Sequence, residues 1–258
     1  MSRLAFMRWI ELLLVAVTLF GIEAHAAVTI QNWRTPQGAN VLFVESHDLP
    51  LLDISIDFAA GSAYDTAQTS GLASMTRHLL ALGAAGMSDN EIARRFEDVG
   101  ANLGGSLDRD RAGLTLRTLS SAREREQAID TFVKILQQPE FPQAVLEREK
   151  ARSIAGLKEA LTRPDTLAER AFYRAVYGAH PYALPPGGEL ETLPTLQREQ
   201  LVSFYQRHYG SANATVVMIG DIDRPRIHYD AALPADPRAT AALRGLRRIA
   251  RAQGDLAE

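Results

Sequence analysis

The chain contains no cysteine, which excludes a disulfide framework, a thiolate metal site and a cysteine nucleophile. It also has no hydrophobic run long enough to span a bilayer. The most apolar stretch, Leu12 to Phe20, is bounded by Glu11 and Glu23 and falls short of the roughly 18 to 20 residues that a spanning helix needs. No G-x-S-x-G elbow and no Gly-rich phosphate loop ending in Lys-Ser/Thr occurs, so the common nucleophile and nucleotide motifs are missing. An excess of one charge is lacking too: 28 Lys and Arg stand against 31 Asp and Glu, a net charge of −3 that argues against a protein coating nucleic acid. What is present is globular in composition. With 46% hydrophobic residues in 258, there is material for the core of one large domain or two small ones.

Three regions differ in character. Residues 1–26 place Arg3 and Arg8 before the apolar run and the small residues Ala24-His25-Ala26 after it, the form of a secretory signal peptide cleaved near Ala26. The expected address is the bacterial periplasm or the exterior, with no membrane association after cleavage. Residues 27–223 form the body, with a net charge of −6. Residues 224–258 form an Arg-, Ala- and Pro-rich tail with a net charge of +3. A basic helix at 239–252 and an irrelevant terminus are both readings of that tail, and a truncated or frameshifted end of a longer gene is a third.

Within the body, 27–33 and 39–45 read as strands around the turn Thr35-Pro36-Gln37-Gly38. Leu51 to Phe58 alternates Leu52, Ile54, Ile56 and Phe58 against Asp53, Ser55 and Asp57, the period of a half-buried strand. Ser70 can cap a helix to about Leu82, and Ser88 with Glu91 forms a capping box for a helix stopped by Gly100. Strands at 101–107 and 112–119 flank the charged turn Asp108-Arg109-Asp110-Arg111. Helices follow at 121–137, 144–161, from Arg163-Pro164-Asp165 to Gly178, and at 194–209, before a short strand at 214–219. Strands cluster and do not alternate strictly with helices, which predicts an α+β domain with a mainly antiparallel sheet covered by helices.

Several segments occur in the order and spacing of one known family. These are Gly38-Ala39-Asn40-Val41-Leu42-Phe43-Val44-Glu45, Phe58-Ala59-Ala60-Gly61-Ser62 with Asp65, Gly71-Leu72-Ala73 opening a helix that Leu82-Gly83 ends, and Gly100-Ala101. His180-Pro181-Tyr182 and His208-Tyr209-Gly210-Ser211-Ala212-Asn213-Ala214 leading to Gly220-Asp221-Ile222 complete the set. Over nearly all of 27–223 the chain resembles the pitrilysin, insulinase and mitochondrial-processing-peptidase family of zinc metallopeptidases, which implies a single homology domain of that type.

Catalytic members carry H-x-x-E-H, in which two histidines bind zinc and the glutamate takes a proton from the zinc-bound water. The corresponding residues here are Ser74, Met75, Thr76, Arg77 and His78, so only the final histidine survives. Arg77 inverts the charge at the general-base position and can neither accept a proton nor tolerate a divalent cation nearby. The family's third ligand falls at Ala155 or Gly156, which offer no side-chain donor. Glu149 and Glu159 could be offered as substitutes, but helical spacing places them about two turns and one turn away, on a solvated face. His47, His180, His208 and His228 lack i, i+4 partners, and His78 reads as a packed or hydrogen-bonded helix residue. Asp53 and Asp57 read as a solvated strand face.

The expectation is therefore a pseudopeptidase with no catalytic residue and no cofactor; zinc enters only if the chain is a self-sufficient peptidase after all. The resemblance implies pairing with a zinc-bearing catalytic homologue, and binding of unstructured peptides by strand addition along Ala101, Asn102, Leu103, Gly104, Gly105 and Ser106. Gly104 and Gly105 would admit another backbone closely, or they mark an ordinary glycine bulge. A stand-alone peptide-binding or scaffold domain is the further alternative. Subunits of this family normally have two homologous domains, and this sequence contains the first.

Overall fold

The computed structural model describes residues 29–223. The signal-peptide and tail readings lie outside the described residues. Eight strands and six α-helices form a mixed domain: β1 (Gln31–Arg34), β2 (Asn40–Glu45), β3 (Leu51–Phe58), α1 (Leu72–Leu79), β4 (Gly83–Ala84), β5 (Met87–Ser88), α2 (Asp89–Glu97), β6 (Asn102–Gly104), β7 (Ala112–Leu119), α3 (Ala122–Gln137), α4 (Gln143–Ala160), α5 (Pro164–Tyr177), α6 (Arg198–His208) and β8 (Ala214–Gly220). The main sheet has the order β1-β2-β8-β3-β7-β6. All its pairings are antiparallel except β2 with β8, which runs parallel with Leu42 opposite Val217.

The alternation in β3 appears as written: Leu52, Ile54, Ile56 and Phe58 are buried, and the residues between them are half-exposed. These side chains join Val41, Phe43, Leu116, Val216 and Met218, with Ile129, Phe132 and Leu136 of α3, in one core. Each fully buried side chain of this size contributes about 1.5–3 kcal/mol of transfer free energy. On the opposite face Asp53 accepts two hydrogen bonds from Arg117 at 2.7 and 2.9 Å, so the polar set of the alternation faces solvent.

Local chemistry sets most helix ends. Ser88 and Glu91 form the predicted capping box, and Pro164 opens α5. The expected helix at 194–209 is divided: Leu193–Thr195 is a 3-10 turn, Leu196 is extended, and α6 begins at Arg198 with its own capping box from Gln197 and Gln200. The break lets Leu196 bury completely while its carbonyl accepts from Lys150 Nζ at 3.0 Å. The hairpin of β4 and β5 was not legible as strands. Its turn uses Ala85 and Gly86, both at positive φ, without the Asn-Gly or Asp-Gly pair that announces such a turn. The strand expected at 101–107 is shorter, since β6 ends at Gly104 and Leu107 meets Ala112 only in an isolated bridge.

Candidate functional site on helix α1 and the sheet edge

Helix α1 is held at its start by Asp65 and not, as expected, by Ser70. The Asp65 carboxylate accepts from Gly71 N at 2.9 Å and Ala73 N at 3.0 Å, satisfying two of the amides that a helix start leaves open. Burial pushes its pKa up to about 6, against the opposing pull of those two amides. Ser70 instead donates to Pro185 O, and its own carbonyl accepts from Thr192 Oγ1 at 2.7 Å, tying the helix entry to the loop before α6. Gly71 sits at φ 97°, where a Cβ would also lie 2.9 Å from Gly188 Cα, so glycine is required.

Along α1, Met75 and Thr76 face the core, while Ser74 and Arg77 are half-buried and His78 is exposed. His78 Nε2 lies 3.0 Å from Glu149 Oε2, which bears out the reading of His78 as a hydrogen-bonded helix residue. It overturns the placement of Glu149 on a solvated face. Glu149 is only 2% exposed, and Arg148 and Arg152 approach its carboxylate at 2.8 and 3.7 Å. Burial opposes its charge, but the hydrogen bonds from His78 and Arg148 hold its pKa below the usual glutamate value. Glu159 is exposed, as expected, and Ala155 and Gly156 at the third-ligand position are exposed too.

Arg77 crosses from α1 to the sheet, where its Nε donates to Gly113 O of β7 at 3.2 Å. Burial lowers its pKa, partly offset by Tyr209 nearby. Its Nη2 occupies the space where a Cβ of Gly105 would stand, as does the Gly113 carbonyl oxygen. Gly105 has φ 149°, beyond the range of ordinary side chains. The open side of this glycine is thus filled from within the domain. Of the proposed edge segment, Asn102, Leu103 and Gly104 pair with Arg117, Leu116 and Thr115 of β7. Ala101 is buried, whereas Gly105 and Ser106 are exposed. The other edge of β6 carries no strand among the described residues. Beside it a groove of about 470 Å³ runs over the solvent face of the sheet, past Asp53, Arg117 and Val217.

These residues do not fit the zinc that catalytic relatives of this type carry. Ser74 and the exposed Gly156 supply no adequate donor, and His78 is bonded to a glutamate surrounded by two arginines. Arg77 adds a cation one turn after Ser74. A different cluster escaped the sequence reading: Glu45, His47 and Asp223 bring their donor atoms within 4.8 Å of one another, all exposed. The parallel pairing of β2 with β8 creates it by setting Glu45 opposite Gly220. His47 is already bonded to Asp221 at 2.6 Å and to Glu45 at 3.0 Å, and these bonds raise its pKa to about 9. His180 accepts from Tyr182 N, and His208 packs on Tyr64 and Phe204, so neither joins a metal site. His228 lies outside the described residues.

Comparison with known proteins gives the family. A domain of Pseudomonas fluorescens described as a peptidase M16 inactive domain superposes with a TM-score of 0.76 at 32% identity, covering 87% of this chain and 51% of that one. An uncharacterized zinc protease of Rickettsia felis is 23% identical over 200 residues, 76% of this chain and 48% of the relative. A non-peptidase homologue from Helicobacter pylori is 23% identical over 204 residues, 78% of this chain and 46% of its own length. The chain spans about half the length of the curated relatives it matches. The sequence profile described as Insulinase (Peptidase family M16) matches residues 41–187, more than half of the chain. The chain belongs to the insulinase family of peptidases, M16.

Proposed function

We propose that the chain is a non-catalytic M16 subunit that binds unstructured peptides along β6 and acts beside a zinc-bearing homologue. The observation that carries the reading is the α1 face, where Ser74 and Arg77 stand at two functional positions and His78 is committed to Glu149. A site with one histidine, no base and a fixed cation does not assemble a metal-bound water, so the residues present favour binding over hydrolysis. The outer edge of β6, unpaired among the described residues, supplies backbone donors and acceptors for an added strand, a mode that needs no particular side chain. The signal-like leader supports a periplasmic or secreted setting.

The test is affinity purification of the native complex from the source cell. Recovery of an M16 homologue that carries H-x-x-E-H supports the subunit reading, and a chain recovered alone favours a stand-alone peptide-binding domain. The name zinc protease carried by relatives such as that of Rickettsia felis keeps a self-sufficient metallopeptidase in view. Stoichiometric zinc together with peptide cleavage by the purified chain would establish that alternative.

A further inference from the structure

Arg77 is the half-buried cation for which the proposed non-catalytic role gives no use. Among the described residues it has no carboxylate partner; its one hydrogen bond goes to a backbone oxygen, Gly113 O at 3.2 Å. A guanidinium has five N–H donors, so most of its capacity is unspent. Burial lowers its pKa, with only Tyr209 pulling the other way, the sign of a charge held partly out of water with little compensation. Nearby, the Tyr209 hydroxyl is buried with no hydrogen-bond partner among the described residues and lies within electrostatic reach of Arg77. The location is specific. The guanidinium lies against Gly105, the residue that follows the open edge strand β6.

A peptide added to β6 would run about 4.8 Å from it and turn alternate side chains to opposite faces of the sheet. One set would face the groove beside Asp53 and Arg117, and the other would face α1. We propose that Arg77 is an anion-recognition point, so that this site selects peptides presenting a carboxylate to the α1 side of β6. An acidic side chain and a C-terminal carboxylate offer the same chemistry, and a guanidinium pairs with either through two parallel hydrogen bonds. The site then recognises a negative charge at the position where catalytic relatives place their general base. This inference rests on the peptide-binding reading above.

The experiment measures fluorescence anisotropy of the full chain with three labelled, unstructured peptides of Ser, Thr and Val. One carries a central Glu and an amidated C-terminus, the second carries Gln in its place, and the third carries Gln with a free C-terminal carboxylate. The Glu peptide or the free-acid peptide should bind at least about ten-fold more tightly than the neutral one. Which of the two does so identifies the source of the carboxylate. The preference should vanish in Arg77→Gln, with far-UV circular dichroism to check the fold. It should vanish equally in Ser74→Glu, which neutralises Arg77 from one turn earlier on α1 without removing it. Equal binding of all three peptides to the wild-type chain would overturn the inference and leave peptide binding standing. A preference that survives in both variants would also overturn it. Binding of none would overturn the peptide-binding reading and this inference with it.

Discussion

Replacing Gly105 by Ala tests whether Arg77 is wedged beneath the sheet edge. At φ 149° an L side chain is strained, at about 1–3 kcal/mol. The new Cβ would overlap Arg77 Nη2 and Gly113 O and lie 2.9 Å from Leu114 Cα. Arg77 is flexible and can withdraw, but Gly113 belongs to β7, which is paired with β3 along its whole length. The backbone overlap must therefore be relieved by shifting a central strand, adding about 1–3 kcal/mol of overpacking. The sum is about 2–6 kcal/mol, read as a lowered urea midpoint at unchanged slope. Two controls isolate the cause. Gly104→Ala meets only the rotatable Thr115 hydroxyl, at 2.7 Å, and should cost less than about 1 kcal/mol. Gly86→Ala at φ 76° has nothing within 4 Å and should cost about 1–2 kcal/mol from backbone strain alone. If Gly105→Ala is no worse than Gly86→Ala, Arg77 and β7 do not fill that space and the described edge geometry is wrong.

The other predictions concern the buried acids. Asp65 has a folded pKa of about 6 against an ordinary 3.8, so the folded state binds the extra proton; its contribution is full below the ordinary value and is lost as pH rises through about 6. The loss is about 3 kcal/mol, and the fall in unfolding free energy across that window should flatten in Asp65→Asn; an unchanged profile would refute it. Glu149 has the opposite sign, since its pKa is depressed below 4.5; its contribution is present above that value and is lost as pH falls. A double-mutant cycle of His78→Ala with Glu149→Gln should give a coupling of about 1 kcal/mol, because His78 is exposed and water screens the pair. Zero coupling would remove the hydrogen bond from the account.

Much of the fold could be read directly because its signals are local. β3 and β7 appear at their expected bounds: β3 has strict alternation, and β7 lies between two recognisable turns. The capping box at Ser88 and the proline at the start of α5 likewise act within a few residues. What escaped depends on long-range partners. Glu149 lies on a helix with only three buried residues, two of them charged, so periodicity gave no warning that it faces inward. Its hydrogen-bond partner across the fold, His78, lies 71 positions earlier. Glu45, His47 and Asp223 converge only because β8, the last described strand, inserts between β2 and β3. In the candidate site, sequence identified Ser74, Arg77 and His78 and the chemistry they lack. The link from Arg77 to Gly105 and Gly113 needed the packing of α1 on β7.

On the proposed reading, α1 does not build a hydrolytic zinc centre. Metal content by mass spectrometry on the purified full chain, paired with cleavage of an unstructured peptide with and without chelator, decides this. No cleavage is expected and no zinc that depends on His78, while any metal held by the exposed cluster should disappear in His47→Ala. One zinc per chain that is lost in His78→Ala, accompanied by chelator-sensitive cleavage, would contradict it.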